Sequence, residues 1–380
     1  MSGEPFFSLL GDVENLLTEI DAFADDDAAK RHARASVLAS FFSDVIVKNK
    51  ALLARSGGSD SLLGTYETFL QTMNRLLLRR RSAILNKQVN LFTTNVDLAV
   101  EVASEALQLE LNDGFSGRFE PKFSTSNFGS VVSRRSLQYD NLSEIPTFNL
   151  LKLHGSVGWL TQDVTHAEAG SRTQIGFDGE LSQVMVAAEA LDTVAGELTR
   201  LTQETSAAEL LTAGIGSTAD VSGFLDAYGQ LAIVNPTKAK FQQTVLDQNY
   251  YDLLRLFSNE MEKENTVLFI VGFSCRDEHI RELIVRAARV NPTLQVIVFA
   301  HTSTSADEVE AQFAGNPITN GNIRIVEPAP TADGEDQMRL SLWSVTKHFF
   351  EPLVPLPARP PAAQVDVNVT LKESLVQPDA

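Results

Sequence analysis

The sequence predicts an α/β protein with a Rossmann-like, mostly parallel sheet flanked by helices. From residue 89 onward, short apolar runs bounded by turn residues alternate with longer segments of helical period. Polar residues directly follow several of these apolar runs, as they do where parallel strands end in a binding crevice. The chain before residue 89 differs, because apolar residues recur there at helical spacing.

Helical additions are expected over residues 6–86, where apolar residues recur at intervals of three and four. A first helix is predicted from Leu9 to Phe23, a second from Ala28 to Lys48 and a third from Leu62 to Leu85. The inner face of the third helix is expected to carry Tyr66, Phe69, Met73 and Leu76.

Strands and helices are expected to alternate through the rest of a domain that covers residues 1–350. The predicted strands are Val89–Phe92, Phe148–Leu153, Leu231–Val234, Thr266–Val271, Gln295–Phe299 and Ile323–Val326. The predicted helices between them are Leu98–Leu109, Val245–Glu262 and Glu278–Val290. An insertion over 161–229 is rich in Ala, Thr, Ser and Gly and is predicted to be helical. The Pro-rich tail over 351–380 is expected to be extended or disordered.

Composition excludes several classes of function. The 31 basic residues face 49 acidic ones, giving a net charge of -18 that repels a phosphate backbone and disfavours nucleic acid as a partner. Cys275 is the single cysteine, so neither an internal disulfide nor a four-cysteine zinc site can form within the chain. With no long apolar run and no secretion signal, we expect no membrane association and a cytoplasmic location.

The first segment that could carry chemistry is NLFTTNVD, residues 90–97, an apolar strand that delivers polar side chains to the start of a helix. In an open α/β sheet, ligands bind at this carboxyl end of a strand. Thr94, Asn95 and Asp97 are therefore candidate binding residues. The alternative is that Thr94 or Asn95 merely caps the helix, as such residues often do.

The second segment is NLLKLHGSVGWL, residues 149–160, in which an apolar strand ends before His154 and Gly155. A histidine at a strand end beside a glycine turn is poised for partial exposure, and imidazole accepts a proton near neutral pH. The alternative is a histidine that only hydrogen-bonds the backbone of the turn.

The third segment is TVLFIVGFSCRDEHI, residues 266–280, a buried type of strand followed by Gly272, Ser274 and a helix that Asp277 opens. Glycine allows a ligand to approach the backbone closely, and loop N–H groups with a hydroxyl suit a phosphate or a ribose. Cys275 beside this loop has no histidine partner evident in the sequence and receives no role.

Taken together and in this order, TTNVD, KLHGS and VGFSCRDEHI resemble the sirtuin-like family, in particular its bacterial branch of NAD hydrolases in antiphage defence. The resemblance spans about Asn90 to His301 and depends on the order of the three segments. It implies that Asn95 and His154 are the catalytic residues and that Asp97 contacts the nicotinamide amide. The implied NAD-binding residues are Ser2, Thr94, Asp97, Gly272 and Ser274.

The family also has a glycine-rich loop, GAGxS, that holds the pyrophosphate of NAD after its first strand. Here the chain begins Met1, Ser2, Gly3, Glu4 and Pro5 and then enters a predicted helix, which resembles the end of such a loop. The resemblance therefore implies that the start of this sequence is truncated or placed too late.

The activity that the resemblance implies is hydrolysis of NAD to nicotinamide and ADP-ribose, without zinc, in antiphage defence by NAD depletion. Two alternatives stay open, namely ADP-ribosyl transfer to a macromolecule and a non-catalytic subunit that binds NAD or ADP-ribose. The resemblance also implies a homo-oligomer and a HerA-type hexameric ATPase as partner.

Overall fold

The computed structural model describes most of the chain between residues 13 and 354. The described residues are 13, 15–22, 27–54, 61–80, 86–138, 140, 142–166, 170–202, 205–234, 248–315, 320–331 and 336–354. They form a mixed α/β structure, which confirms the predicted α/β class at that level.

Helices and strands alternate as follows. The helices are α1 Asp27–Phe41, α2 Asn49–Leu53, α3 Leu62–Arg79, α4 Ala99–Ala106, α5 Ser182–Val194, α6 Ala207–Gly214, α7 Ser222–Gly229, α8 Gln248–Glu262, α9 Glu278–Val290, α10 Ser303–Phe313 and α11 Leu342–Val345, and residues 15–22 are also helical. The strands are β1 Gln88–Thr93, β2 Glu110–Asn112, β3 Phe115–Ser116, β4 Lys122–Phe123, β5 Ser133–Arg135, β6 Leu142–Glu144, β7 Thr147–Lys152, β8 Gly155–His166, β9 Gly170–Phe177, β10 Leu231–Ile233, β11 Val267–Val271, β12 Gln295–Phe299 and β13 Ile323–Val326.

Two parallel sheets and two antiparallel sheets organise the described strands. The parallel sheets have the orders β1-β7-β2 and β11-β12-β13. A five-stranded antiparallel sheet follows the order β10-β8-β9-β4-β3, and β5 pairs with β6. Six of these strands are therefore in parallel sheets and seven in antiparallel ones, so the prediction of a mostly parallel sheet overstated the parallel share.

The central strand β7 is buried along its whole length and divides the interior into two cores. Phe148 and Leu150 face a core built from the N-terminal helices, α4 and helices α5 to α7. Leu151 and Leu153 belong to a second core with α8, α9 and the sheet β11-β12-β13. Both faces of this parallel strand are covered in this way, and its sequence is apolar apart from Thr147, Asn149 and Lys152.

One of those polar residues, Asn149, joins an asparagine ladder across the first parallel sheet. In register, Asn149 lies between Asn90 on β1 and Asn112 on β2. The Asn149 amide nitrogen donates to Asn90 Oδ1 at 2.8 Å, and the Asn112 amide nitrogen donates to Asn149 Oδ1 at 3.0 Å. The ladder satisfies a buried amide that would otherwise destabilise the core.

The predicted strands match five of the six described parallel strands; β2 was not predicted, and the prediction differs in two further regions. Gln295–Phe299, Ile323–Val326 and Glu278–Val290 have the predicted bounds. The insertion over 161–229 is not helical throughout, because it begins with the hairpin of β8 and β9 before the helices start. The strand β10 was expected in a parallel sheet, but it pairs antiparallel with β8.

Candidate functional site

The first two sequence segments meet at one edge of the first parallel sheet. Thr93 at the end of β1 is paired in register with Lys152 at the end of β7. The main-chain N–H of Leu153 then donates to the carbonyl oxygen of Thr93 at 2.8 Å. Asn95 and His154 therefore follow neighbouring parallel strands at the same edge, where strands lie roughly 4.8 Å apart.

Asn95 lies in the turn between β1 and α4 and is exposed. Its main-chain N–H donates to Thr93 Oγ1 at 3.0 Å, which orders the turn, and Thr94 between them is half-buried. The side chain of Asn95 lies beside the hydroxyl group of Tyr66 on α3 and lowers the pKa of that hydroxyl, against a larger opposite effect of burial. The amide is thus accessible to a ligand and lies next to the N-terminal helical region.

Asp97 lies just before the following helix, α4, whose N-cap position is Leu98. Asp97 Oδ1 accepts from the main-chain N–H of Ala99 at 2.9 Å, which satisfies one of the free donors at a helix start. The alternative that Thr94 or Asn95 caps this helix is wrong, because neither residue occupies the cap position and no side-chain cap forms there.

His154 pairs with a carboxylate from the third segment. Its Nε2 lies 3.2 Å from Asp277 Oδ2, with side-chain exposures of 16% and 12%. The main-chain carbonyl oxygen of His154 accepts from Val234 N at 2.9 Å, which links the same turn to β10. A carboxylate on one imidazole nitrogen fixes the orientation of the ring and stabilises its protonated form.

Asp277 is the functional residue that the sequence reasoning missed. The sequence marked it as the first residue of a helix, and it does cap α9, accepting from Ile280 N at 3.3 Å. Its second oxygen faces His154, a contact between residues that lie more than a hundred positions apart. The sequence offered one signal for a functional role, because Asp277 closely follows the loop of Gly272 and Ser274. Helix capping was a sufficient explanation for an aspartate at that position.

The loop of Gly272 and Ser274 follows β11, and both residues are exposed. Gly272 has φ +70°, a left-handed conformation that favours glycine, and no other atom lies within 4 Å of the position a Cβ would occupy. Asp277 belongs to the same sequence segment as this loop, and its contact with His154 joins that segment to the other two. The structure thus brings all three segments to one region.

Cys275 is buried in the same loop and has φ +57°. Burial raises the pKa of its thiol to about 12, opposed by the nearby Arg281 cation. A buried thiol that holds its proton is a poor nucleophile, so this arrangement supports the absence of a role for Cys275.

Ser2, the remaining predicted binding residue, lies outside the described residues. Within the described part of the chain, no three His, Cys, Asp or Glu side chains form a group that could hold a metal ion. None of the helices among the described residues is both long and apolar enough to cross a bilayer.

No protein-family model matches this chain, and no curated protein matches it.

Proposed function

We propose that this chain is an NAD hydrolase that breaks the bond between nicotinamide and ribose. The observation that carries the proposal is the convergence of Asn95, His154 and Asp277 from three separate strand ends onto one region. The proposal includes a Rossmann-like role for the parallel sheets, with the dinucleotide lying across their carboxyl ends.

The chemistry requires little acid catalysis. Nicotinamide in NAD is a cationic leaving group and departs neutral, unlike the sugar oxygen that an ordinary glycosidase must protonate. The enzyme must stabilise positive charge on the ribose and activate a water molecule. In the proposal, the Asn95 amide positions ribose and water, and His154 accepts a proton from water or from a ribose hydroxyl.

Asp277 completes this arrangement. As His154 gains a proton, the carboxylate 3.2 Å from Nε2 stabilises the imidazolium ion. The exposed loop of Gly272 and Ser274 is proposed to hold the adenosine half through N–H groups and a hydroxyl. Thr94 and Asp97 line the nicotinamide side in the proposal, and Ser2 belongs to a loop for the pyrophosphate.

The wider setting is proposed from the resemblance alone. It comprises a cytoplasmic homo-oligomer that acts with a HerA-type hexameric ATPase and depletes NAD during phage infection. An unregulated NAD hydrolase would kill its own cell, so activity is expected to depend on such a partner or a trigger.

Nicotinamide release tests the proposal directly. The full chain, with and without a HerA-type ATPase, is incubated with NAD, and nicotinamide and ADP-ribose are separated and quantified by mass spectrometry. Asn95→Ala and His154→Ala are each expected to lower the rate by about 10²–10⁴-fold. The matched control is His348→Ala, which removes an exposed histidine from the C-terminal helical segment, residues 342–353. It is expected to keep the wild-type rate.

Two outcomes would replace hydrolysis, and a third would change its mechanism. ADP-ribose attached to a protein or nucleic acid would indicate a transferase. NAD binding without nicotinamide release under either condition would indicate a scaffold subunit. Release that survives unchanged in both alanine variants would remove Asn95 and His154 from the mechanism.

A further inference from the structure

Lys152 lies beneath the two loops that carry the candidate catalytic residues. Its side chain is only 2% exposed, and its Nζ lies 2.8 Å from Glu101 Oε1 on α4. The same ammonium group donates to Ser156 Oγ at 3.1 Å and to the main-chain carbonyl oxygen of Asp97. A buried cation is strongly unfavourable unless it is paired and hydrogen-bonded, and here these contacts meet that requirement.

Lys152 and its partner Asp97 each lie two residues from a candidate catalytic residue. Lys152 precedes His154 by two residues, and Asp97 follows Asn95 by two. The bond from Nζ to the Asp97 carbonyl oxygen therefore joins the two loops close to both candidate catalytic side chains. The main-chain bond from Val157 N on β8 to Val96 O, at 2.9 Å, is a second link to the loop of Asn95.

Glu101 holds the other side of the ammonium group. Burial raises the pKa of the Glu101 carboxyl, and the adjacent Lys152 cation opposes that shift. Glu101 Oε2 is buried without a hydrogen-bond partner, so this carboxylate depends on Lys152 through its other oxygen. A charge pair of this kind, in a region of low dielectric, is sensitive to small displacements.

Tyr66 on α3 lies beside the same loop, and α3 packs against both α4 and β1. Burial and the charge of Asp97 raise the pKa of the Tyr66 hydroxyl by more than the neighbouring Asn95 side chain lowers it, so the hydroxyl remains protonated at neutral pH. The helix α3 thereby reaches the Asn95 amide.

We propose that Lys152 and Tyr66 are positioning residues that set the Asn95 amide relative to His154. The inference rests on the proposed function, because Asn95 and His154 are the groups being positioned. A purely structural ion pair would contribute to folding without any specific effect on this loop.

The test separates positioning from folding through a double variant, Lys152→Met with Glu101→Leu. Replacing both partners of a buried ion pair with apolar side chains is often neutral or stabilising, so the unfolding temperature is expected to stay at or above the wild-type value. The kcat for NAD cleavage is expected to fall by about 10²-fold, as displacements near 1 Å do. The KM is expected to change little.

Two further variants keep the test decisive. Tyr66→Phe removes only the hydroxyl group and is expected to fold and to lower kcat by roughly 10-fold, within the range for a lost hydrogen bond. The matched control replaces the ion pair Lys347–Glu351, which has an N–O distance of 2.6 Å and lies in the C-terminal helical segment, with Met and Leu. This control is expected to keep the wild-type kcat.

Hydrogen–deuterium exchange gives a readout that does not need activity. Amides over residues 93–98 are expected to exchange faster in the double variant and in Tyr66→Phe, whereas strand 295–299 is expected to be unchanged. If the wild-type chain cleaves no NAD either with or without a HerA-type ATPase, the proposed function fails and exchange alone decides the positioning role. Wild-type exchange over 93–98 in both variants would overturn the inference, as would faster exchange throughout the chain.

Discussion

Asp277 uses its two carboxylate oxygens for two different contacts. Oδ2 lies 3.2 Å from His154 Nε2, and Oδ1 accepts from the main-chain N–H of Ile280 at 3.3 Å. The first contact requires negative charge to stabilise a protonated ring, whereas the second requires only an acceptor oxygen. An amide at this position would therefore separate the two roles.

Asp277→Asn is expected to lower kcat for NAD cleavage by about 10²-fold or more while the protein remains folded. Asparagine caps helices about as well as aspartate, so the unfolding midpoint is expected to stay near the wild-type value. Steady-state kinetics and chemical denaturation measure the two effects. A wild-type kcat in this variant would show that His154 does not depend on the carboxylate.

Cys275 illustrates how burial controls reactivity. Burial raises the pKa of its thiol from 9.0 to about 12. At pH 9 the thiol is therefore protonated in the folded chain and partly ionised in the unfolded chain. Because the unfolded state binds fewer protons between these two values, the free energy of unfolding is expected to fall as pH rises from about 9 toward 12.

Alkylation checks this directly. With iodoacetamide at pH 9, the folded chain is expected to remain unmodified at Cys275, and the chain in guanidinium is expected to react fully. Intact-mass spectrometry measures the modified fraction. Rapid labelling of the folded chain would mean that the thiol is accessible and ionised.

At the scale of elements, the turn between β7 and β8 is shaped by one glycine. Gly155 has φ +77°, and a Cβ there would lie 2.0 Å from the carbonyl oxygen of Ala232 in β10. The close approach allows Val234 N to donate to the carbonyl oxygen of His154. A glycine after the histidine is therefore required by the packing of β10 against β8.

Gly155→Ala is expected to lower the free energy of unfolding by about 3 kcal/mol or more, since it adds overlap with backbone to an unfavourable φ. Gly272→Ala is the matched control, because Gly272 has φ +70° and no atom within 4 Å of the added Cβ. That control is expected to lose about 1–2 kcal/mol from conformation alone. Urea denaturation measures both, and equal losses would contradict the packing argument.

Five of the parallel strands were predictable as elements because each contains an apolar run of strand length. Burial on both faces explains that run for β7, whereas β11, predicted to be buried, exposes Val267 and Phe269. The predicted strand Phe148–Leu153 and the observed Thr147–Lys152 differ by one residue at each end. The short strands between Glu110 and Glu144 were not predicted, because exposed strands of two or three residues carry no periodic signal. Charged residues in that segment, such as Arg134 and Arg135 on β5, also interrupt any apolar pattern that would indicate a strand.

At the scale of the whole molecule, the segment around α11 connects the N-terminal helices to the second parallel sheet. Phe350 is 4% exposed. Its ring centroid lies 6.2 Å from that of Phe69 on α3 and 5.1 Å from that of Phe269 on β11. One side chain thus contacts an N-terminal helix and a strand of the second parallel sheet.

Phe350→Ala is expected to lower the free energy of unfolding by about 3–5 kcal/mol, through lost burial and the cavity left behind. Its neighbour Phe349 is 38% exposed and contacts Phe299 at a centroid distance of 4.9 Å, so Phe349→Ala is the control. The control is expected to lose less than about 2 kcal/mol. Guanidinium denaturation compares them, and a larger loss in the control would refute the proposed connection.

Sequence alone determined the α/β class, the parallel strands and the three segments that end in polar residues. These features are local, since apolar period, strand length and turn chemistry lie within a few consecutive residues. The candidate residues Asn95 and His154 followed from that pattern and from the resemblance to sirtuin-like proteins.

Only the tertiary structure decided which distant residues meet. The pairing of His154 with Asp277, the asparagine ladder through Asn149 and the burial of Lys152 against Glu101 each join separate segments. Register between strands and the direction of buried side chains set these contacts, and neither is encoded in any short stretch of sequence. The antiparallel pairing of β10 with β8 was decided in the same way, because an apolar run has the same appearance in either direction.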